Sequence, residues 1–217
     1  MAIAYNSSIV TTNLIACFDP GNPRTYPGSG TTIRDASGNG YTGTLTNGPT
    51  YSSVNGGVFV LDGVNDYIDI PINLTSTNYT IIGAARYVVA AGRTFSAKNN
   101  NWLMGQWNGS TENYYAEGWV AGAGTGGPTP SDTNWRFYAA TGNIAGDNYA
   151  LYVNGALVST QAPTGGSQGP NGFAIGSYIA ASEFSNSQIG IFLVYNAVLT
   201  EAQIIQNFNA YRGRYGL

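Results

Sequence analysis

Residues 37–57 read SGNGYTGTLTNGPTYSSVNGG, a low-charge stretch holding three Asn-Gly pairs. Such a run describes either a flexible linker or a chain of tight turns between strands. The choice decides whether the protein begins with a tail or with its fold. Asn and Gly tolerate the positive φ angles that tight hairpin turns require. The same signal recurs well outside the stretch, as Asn-Gly at 108–109, 154–155 and 171–172 and Asp-Gly at 62–63. Between these turns lie short runs dominated by Tyr, Val, Ile, Thr and Trp, which suit a pleated, half-buried surface. GYTGTLT is therefore expected to be a short strand between the turns at 39–40 and 47–48. Asn55-Gly56 should then feed the apolar strand VFVLD at 58–62.

Working outward, strand-like runs are LIACFD (14–19), YIDI (67–70), YTIIGAARYVV (79–89), NWLMGQW (101–107) and NYYAEGWVA (113–121). They continue with NWRFYAAT (134–141), NYALYV (148–153), ALVST (156–160), GFAIG (172–176) and QIGIFLVYN (188–196). The clearest hairpin is NYALYVNGALVST, where Tyr149, Leu151 and Val153 alternate with Ala150 and Tyr152 before Asn154-Gly155 turns the chain. In QIGIFLVYN, strict alternation puts Ile189, Ile191, Leu193 and Tyr195 on one face and Gly190, Phe192 and Val194 on the other. Both faces are apolar, so this strand should lie centrally or beneath a covering segment. One helix is expected, in LTEAQIIQNFNAYRGRYGL. Thr200 and Gln203 form a capping box, Glu201 suits the positive end of the dipole, Ile204 or Ile205 with Phe208 and Tyr211 forms a stripe, and Gly213 is the expected stop. The Gly/Pro-rich runs at 120–132 and 161–172 sit between strands and read as surface loops. The fold class is all-β: a two-sheet antiparallel jelly-roll sandwich with one short C-terminal helix. An N-terminal arm, 1–13, precedes a single domain, 14–217.

Composition narrows the function classes. A chain of 217 residues can bury roughly 70% of its unfolded surface. With 13% aromatic residues and a net charge of −3, it lacks the composition of a disordered protein. Only 9% of residues are charged, against roughly 25% in ordinary soluble domains. Eight Lys and Arg residues without a basic run exclude a nucleic-acid partner. No apolar run is long enough to span a membrane. The opening MAIAYNSSIV has neither a charged n-region nor a long apolar h-region, so no signal peptide is expected. Cys17, the single cysteine, reads as a buried, inert thiol.

No histidine is present, which removes the usual general base, the Ser-His-Asp and Cys-His arrangements and most zinc sites. No catalytic residue is assigned. Glycoside hydrolysis needs only two carboxylates, but Glu112 and Glu117 are five apart, which sends them to opposite faces of a regular strand. The richest oxygen cluster is DGVNDYID, with Asp62, Asn65, Asp66 and Asp69. A hard cation such as Ca²⁺ accepts these ligand types, whereas the ordinary reading is a tight Asp/Asn turn. No other cofactor is expected. In NWLMGQWNGSTENYYAEGW, the side chains Trp107, Asn108, Tyr114 and Trp119 would suit stacking against a sugar. The ordinary alternative, that alternate aromatics fill the core, has the stronger warrant. Asn6, Asn73, Asn78 and Asn108 match the N-glycosylation pattern, which means little without a secretory route.

Several segments together resemble a known family. In 14–51, the run carrying Asp35, Ser37, Gly38, Asn39, Gly43 and Thr44 fits a D-x-S-G-N-x-x-x-G-T opening. VFVLDGVNDYIDI, NWRFYAAT, YALYVNGALV and GIFLVYNAVLTEAQIIQNF follow in the family's order. Over about residues 14–212 the chain is similar to concanavalin A-like, laminin-G-like jelly-roll domains of the kind found in phage virion structural proteins. Cys17-Phe18 and Ile33 depart from the usual residues at their positions. The resemblance implies a capsid decoration or cement protein, or a tail or fibre appendage, acting through contacts with other virion proteins or with itself. It also implies assembly in the host cytoplasm and residence in the virion. The competing expectation is a carbohydrate-binding module that attaches to surface glycans.

Overall fold

A computed structural model describes residues 8–74, 76–122, 132–163 and 169–217. Asn6, part of the arm and the centres of both Gly/Pro-rich runs lie outside the described residues. The first half of the chain contributes β1 (Leu14–Phe18), β2 (Thr32–Arg34), β3 (Thr42–Thr46), β4 (Thr50–Ser52), β5 (Val58–Asp62), β6 (Tyr67–Asn73), β7 (Asn78–Val89), β8 (Arg93–Ser96) and β9 (Leu103–Trp107). The second half adds β10 (Ser110–Tyr115), β11 (Trp119–Ala121), β12 (Arg136–Asn143), β13 (Asn148–Val153), β14 (Ala156–Gln161), β15 (Asn171–Ile175), β16 (Asn186–Tyr195) and the helix α1 (Glu201–Tyr215).

These strands build the expected jelly-roll sandwich. One layer is an eight-stranded antiparallel sheet in the order β14-β13-β12-β7-β16-β5-β4, with β1 also paired to β16. β5 takes the first half of β16, Asn186–Ile189, and β1 takes Phe192–Tyr195. The other layer joins the sheets β11-β10-β9-β8 and β15-β6-β3-β2 through a bridge between Ala97 and Phe173. Phe59, Ile81, Leu151, Phe192 and Val194 of the large sheet meet Ile70, Phe95, Trp102 and Phe173 of the other layer in one buried cluster.

The outer face of the large sheet is apolar as well, and α1 covers it. Ile82, Phe137, Ile191, Leu193 and Tyr195 pack there with Ile204, Tyr211 and Tyr215. The central place expected for 188–196 is thus observed, but its alternation is corrected. Ile189 faces the sandwich core with Phe192 and Val194, while Ile191 joins Leu193 and Tyr195 beneath the helix. The register shifts between Ile189 and Phe192, and a bulge of this kind moves every later side chain to the other face. Tyr215 occupies the irregularity: its hydroxyl accepts the Ile191 N–H at 3.0 Å. A Cβ on Gly190 would lie 2.2 Å from that oxygen.

The capping box of Thr200 and Gln203 forms as expected. Gly213 does not stop the helix; the chain continues to Tyr215 and turns at Gly216, whose φ is +71°. The buried stripe includes Asn207, which accepts from Val10 N at 2.9 Å and donates to Tyr195 Oη at 3.1 Å. Residues 8–13 are accordingly packed on the domain, with Ile9 and Val10 buried. Cys17 is fully buried, and burial pushes its thiol up, reinforced by Asp19 and Asp35.

The stretch 37–57 is ordered fold. β3 is the expected short strand, but the three Asn-Gly pairs do different things. The first lies in the loop joining the paired strands β2 and β3, and the second carries the chain from one layer to the other. The third turns tightly between the paired β4 and β5. Asp35 holds the opening motif together: Oδ1 accepts from Cys17 N at 2.8 Å and Ser37 N at 2.7 Å, while Oδ2 accepts from Ser37 Oγ at 2.7 Å. Asn39 Nδ2 donates to Ile15 O at 3.0 Å. The motif therefore pins its loop to β1.

Candidate functional site

β9 and β10 form a hairpin in which Met104 faces Tyr114, Leu103 faces Tyr115 and Trp107 faces Ser110. Strand alternation sorts the aromatics of this segment between two environments. Trp102 and Tyr114 go inward and are fully buried. Trp102 Nε1 donates to Tyr79 Oη at 3.2 Å, the Tyr79 and Tyr114 hydroxyls are 2.7 Å apart, and Tyr114 Oη donates to Thr141 O at 3.0 Å. Burial pushes the phenols of Tyr79 and Tyr114 up, so both stay protonated donors. The expectation that Tyr114 contacts a sugar is therefore corrected: it is a core residue bonded through its hydroxyl.

Trp107, Tyr115 and Trp119 go outward and remain partly exposed. The Trp107 and Trp119 rings lie 5.2 Å apart at 37°, and Tyr115 meets Trp119 edge-on at 5.4 Å. Asn108 is exposed beside them, with φ +44° in the two-residue turn between β9 and β10. Its N–H donates to Gly92 O at 3.1 Å. The structure thus brings Trp107, Asn108 and Trp119 to one surface and supplies Tyr115 as the partner that Tyr114 is not.

Behind this platform stands a polar brace. Glu183 Oε2 accepts from Arg93 Nε at 2.5 Å and from Trp107 Nε1 at 2.9 Å. Arg93 is 5% exposed, donates to Asn101 Oδ1 at 3.0 Å and lies 4.1 Å from the Tyr178 ring centre. The supporting loop holds Ile179, Ala180 and Glu183 at φ +45°, +60° and +51°. Left-handed backbone at non-glycine residues costs about 1–3 kcal/mol each and concentrates at functional sites. Flat ring faces beside oriented polar groups can stack on an apolar ligand face and hydrogen-bond its rim. Arg93, Tyr178 and Glu183 carry no sequence signal pointing here, because Glu183 is 90 positions from Arg93. Tyr115 was legible, since alternation separates it from Tyr114.

The oxygen cluster behaves as a turn. Asp62 Oδ1 accepts from Val64 N at 2.8 Å, and Asp66 Oδ2 accepts from Asp62 N at 3.2 Å. Burial raises the Asp66 carboxyl, with Asp62 adding to the effect. The Asn65 carbonyl accepts from Asn47 Nδ2 at 2.9 Å, and Asp69 pairs with Lys98 Nζ at 2.5 Å. Among the described residues, no three His, Cys, Asp or Glu side chains converge as a metal site. Of the expected set, Asp62, Asn65 and Asp66 share one turn, while Asp69 is engaged with Lys98. Glu112 and Glu117 engage different groups. Glu112 acts electrostatically on Arg136, at one end of β12, while Glu117 accepts from Tyr149 Oη at 2.8 Å opposite Gly142.

The chain belongs to the concanavalin A-like lectin/glucanases superfamily, whose laminin-G-type family model matches residues 62–205. No curated protein matches it in sequence. Among solved structures it is similar to domain 4 of AbnA, an extracellular arabinanase from Geobacillus stearothermophilus, in complex with arabinotriose. There the TM-score is 0.65 at 19% identity, covering 92% of this chain and 98% of that one. It is also similar to the botulinum neurotoxin serotype D binding domain, with TM-score 0.67, 14% identity and coverage of 92% and 52%. Trypanosoma rangeli sialidase in complex with sialic acid gives TM-score 0.66, 14% identity and coverage of 94% and 34%. The chain therefore spans about half of the toxin domain and a third of the sialidase. At these identities the likeness establishes the shared jelly-roll fold.

Proposed function

We propose that this chain is a non-catalytic carbohydrate-binding domain whose ligand stacks on Trp107, Trp119 and Tyr115, with Asn108 at the rim. The observation that carries the reading is the partly exposed aromatic platform, braced through Trp107 by the Glu183–Arg93 pair. Aromatic anchors held by a buried polar network bind with little ordering cost. The absence of histidine and the bonding of Glu117 to the Tyr149 hydroxyl support a binding rather than a hydrolytic role. Arabinotriose, seen with a solved protein of like fold, is a natural first probe. A glycan array should give binding that Trp119→Ala weakens at least about tenfold while the fold persists. Array-wide silence of the wild type would overturn the reading.

A second reading places the domain on a phage particle, as a decoration, tail or fibre module assembled in the host cytoplasm. It is supported by the resemblance over residues 14–212 and by the edge strand β14, which exposes Leu157 and Val158 at 48% and 41%. Exposed apolar side chains on an edge strand offer a protein-contact surface. Mass spectrometry of purified particles tests it; finding the native protein in uninfected cells instead would reject it.

A further inference from the structure

A groove of about 810 Å³ lies on the outer face of the large sheet, where α1 leaves β12, β13 and β14 uncovered. Its floor includes Thr141, Ala150 and Tyr152, and one wall is the segment Asn196–Leu199 that follows β16. That wall is preformed. Thr80 Oγ1 donates to Ala197 O at 2.8 Å and accepts from Leu199 N at 2.9 Å, and Ser76 Oγ donates to Asn196 O at 3.2 Å. Among the described residues, no charged residue lines the groove. Amide side chains surround it instead, and two are held by one turn: Asn143 Oδ1 accepts from Gly146 N at 3.1 Å, and Asn148 Nδ2 donates to Gly146 O at 2.7 Å. Asn78 also lines the groove.

We propose that this groove is a second binding site, for a neutral oligosaccharide. A lining of amides, hydroxyls and a tyrosine ring favours hydrogen bonding over ion pairing as the source of selectivity. Oriented amides and a half-buried tyrosine ring match a ligand that carries hydroxyls along its edges and C–H groups on its faces. The site is independent of the tryptophan platform, which belongs to the outer face of the opposite layer. Ligands can therefore be held on both faces, and the domain could bridge two glycan chains with gains from multivalency.

The test is ¹⁵N-edited NMR of the full chain titrated with arabinotriose, cellotetraose and triacetylchitotriose to about 10 mM, a range that detects millimolar affinity. At least one sugar should shift the amides of 148–152 and 196–199. The shifts should persist in Trp119→Ala and weaken about tenfold in Tyr152→Ala and in the exposed Asn148→Ala, which is chosen to leave the fold intact. Absence of shifts in those segments with all three sugars overturns the proposal. So do shifts that survive both groove variants, shifts that vanish in Trp119→Ala, or shifts produced instead by the neutral peptide acetyl-Gly-Ser-Asn-Gly-amide. Failure of the platform reading is separately visible, as unmoved indole N–H signals of Trp107 and Trp119.

Discussion

Two aromatic groups come from one 19-residue stretch, 101–119, and serve opposite ends. Trp102 and Tyr114, with Tyr79, Tyr149 and Phe173, form a buried set of edge-on contacts with its hydroxyls and indole N–H bonded internally. Trp107, Tyr115 and Trp119 form a partly exposed set anchored by the bond from Trp107 to Glu183. Composition does not separate the groups. The period-2 alternation of paired strands does, by turning neighbouring tyrosines 114 and 115 to opposite faces. In the buried group, area removed from water stabilises the fold; in the exposed group, ring faces are left for a ligand.

This contrast can be broken first at the core. Trp102→Ala should destabilise the domain by about 3–5 kcal/mol through lost burial and a cavity, read by chemical denaturation. Tyr114→Phe keeps the ring but removes the donor to Thr141 and should cost about 1–2 kcal/mol. If either variant abolished sugar binding while retaining wild-type stability, the assignment of this group to the core would fail. At the brace, Glu183→Ala leaves the nearly buried Arg93 without its carboxylate. A cost of about 1–3 kcal/mol is expected, less than for a fully buried pair, since Glu183 is 29% exposed. The same variant frees Trp107 Nε1, so ligand binding should weaken beyond what the stability loss explains.

On the platform itself, Trp119→Ala should change stability by less than about 1 kcal/mol while removing most ligand binding. A large stability loss there would make the two groups alike. The smallest effect is expected at the periphery. Arg136 holds the Asp132 carboxyl well below its ordinary range, mainly through its side-chain hydrogen bonds. The folded state therefore favours the ionised form. That stabilisation is complete above the ordinary carboxylate value of about 4 and fades as pH falls toward the lowered one. Asp132 is 38% exposed, so screening by solvent should keep the difference in stability between wild type and Asp132→Asn to about 1 kcal/mol at neutral pH. It should shrink on acidification.

Turns and strands were legible because their causes are local. Both residues of the Asn-Gly pairs at 47–48, 55–56, 108–109 and 154–155 take positive φ, as that residue pair allows. Thr200 and Gln203 cap a helix across a single turn. The short strand β8 was missed because it has only four residues and no alternation, being buried throughout. NYYAEGWVA reads as one strand but is two, since the chain turns at 116–118 and Trp119 pairs back onto Tyr115. Of the site, Trp107, Asn108 and Trp119 could be found as neighbouring aromatic and amide residues. Arg93, Tyr178 and Glu183 could not, because nothing near any of them marks the others.

The sequence by itself determined the class of fold, the positions of most strands, the capped helix and the polar, weakly charged character of the surface. Each depends on dihedral preference, side-chain period or composition, which operate over a few residues. Tertiary structure decided which Asn-Gly pairs close hairpins and which one crosses between layers. It also decided that Ile189 and Ile191 face opposite ways, since the irregularity between them accommodates Tyr215. It decided, finally, that Asp69 pairs with Lys98 and Glu183 with Arg93. These outcomes rest on contacts between segments far apart in the chain, and such contacts exist only once both layers are in place to hold their partners together.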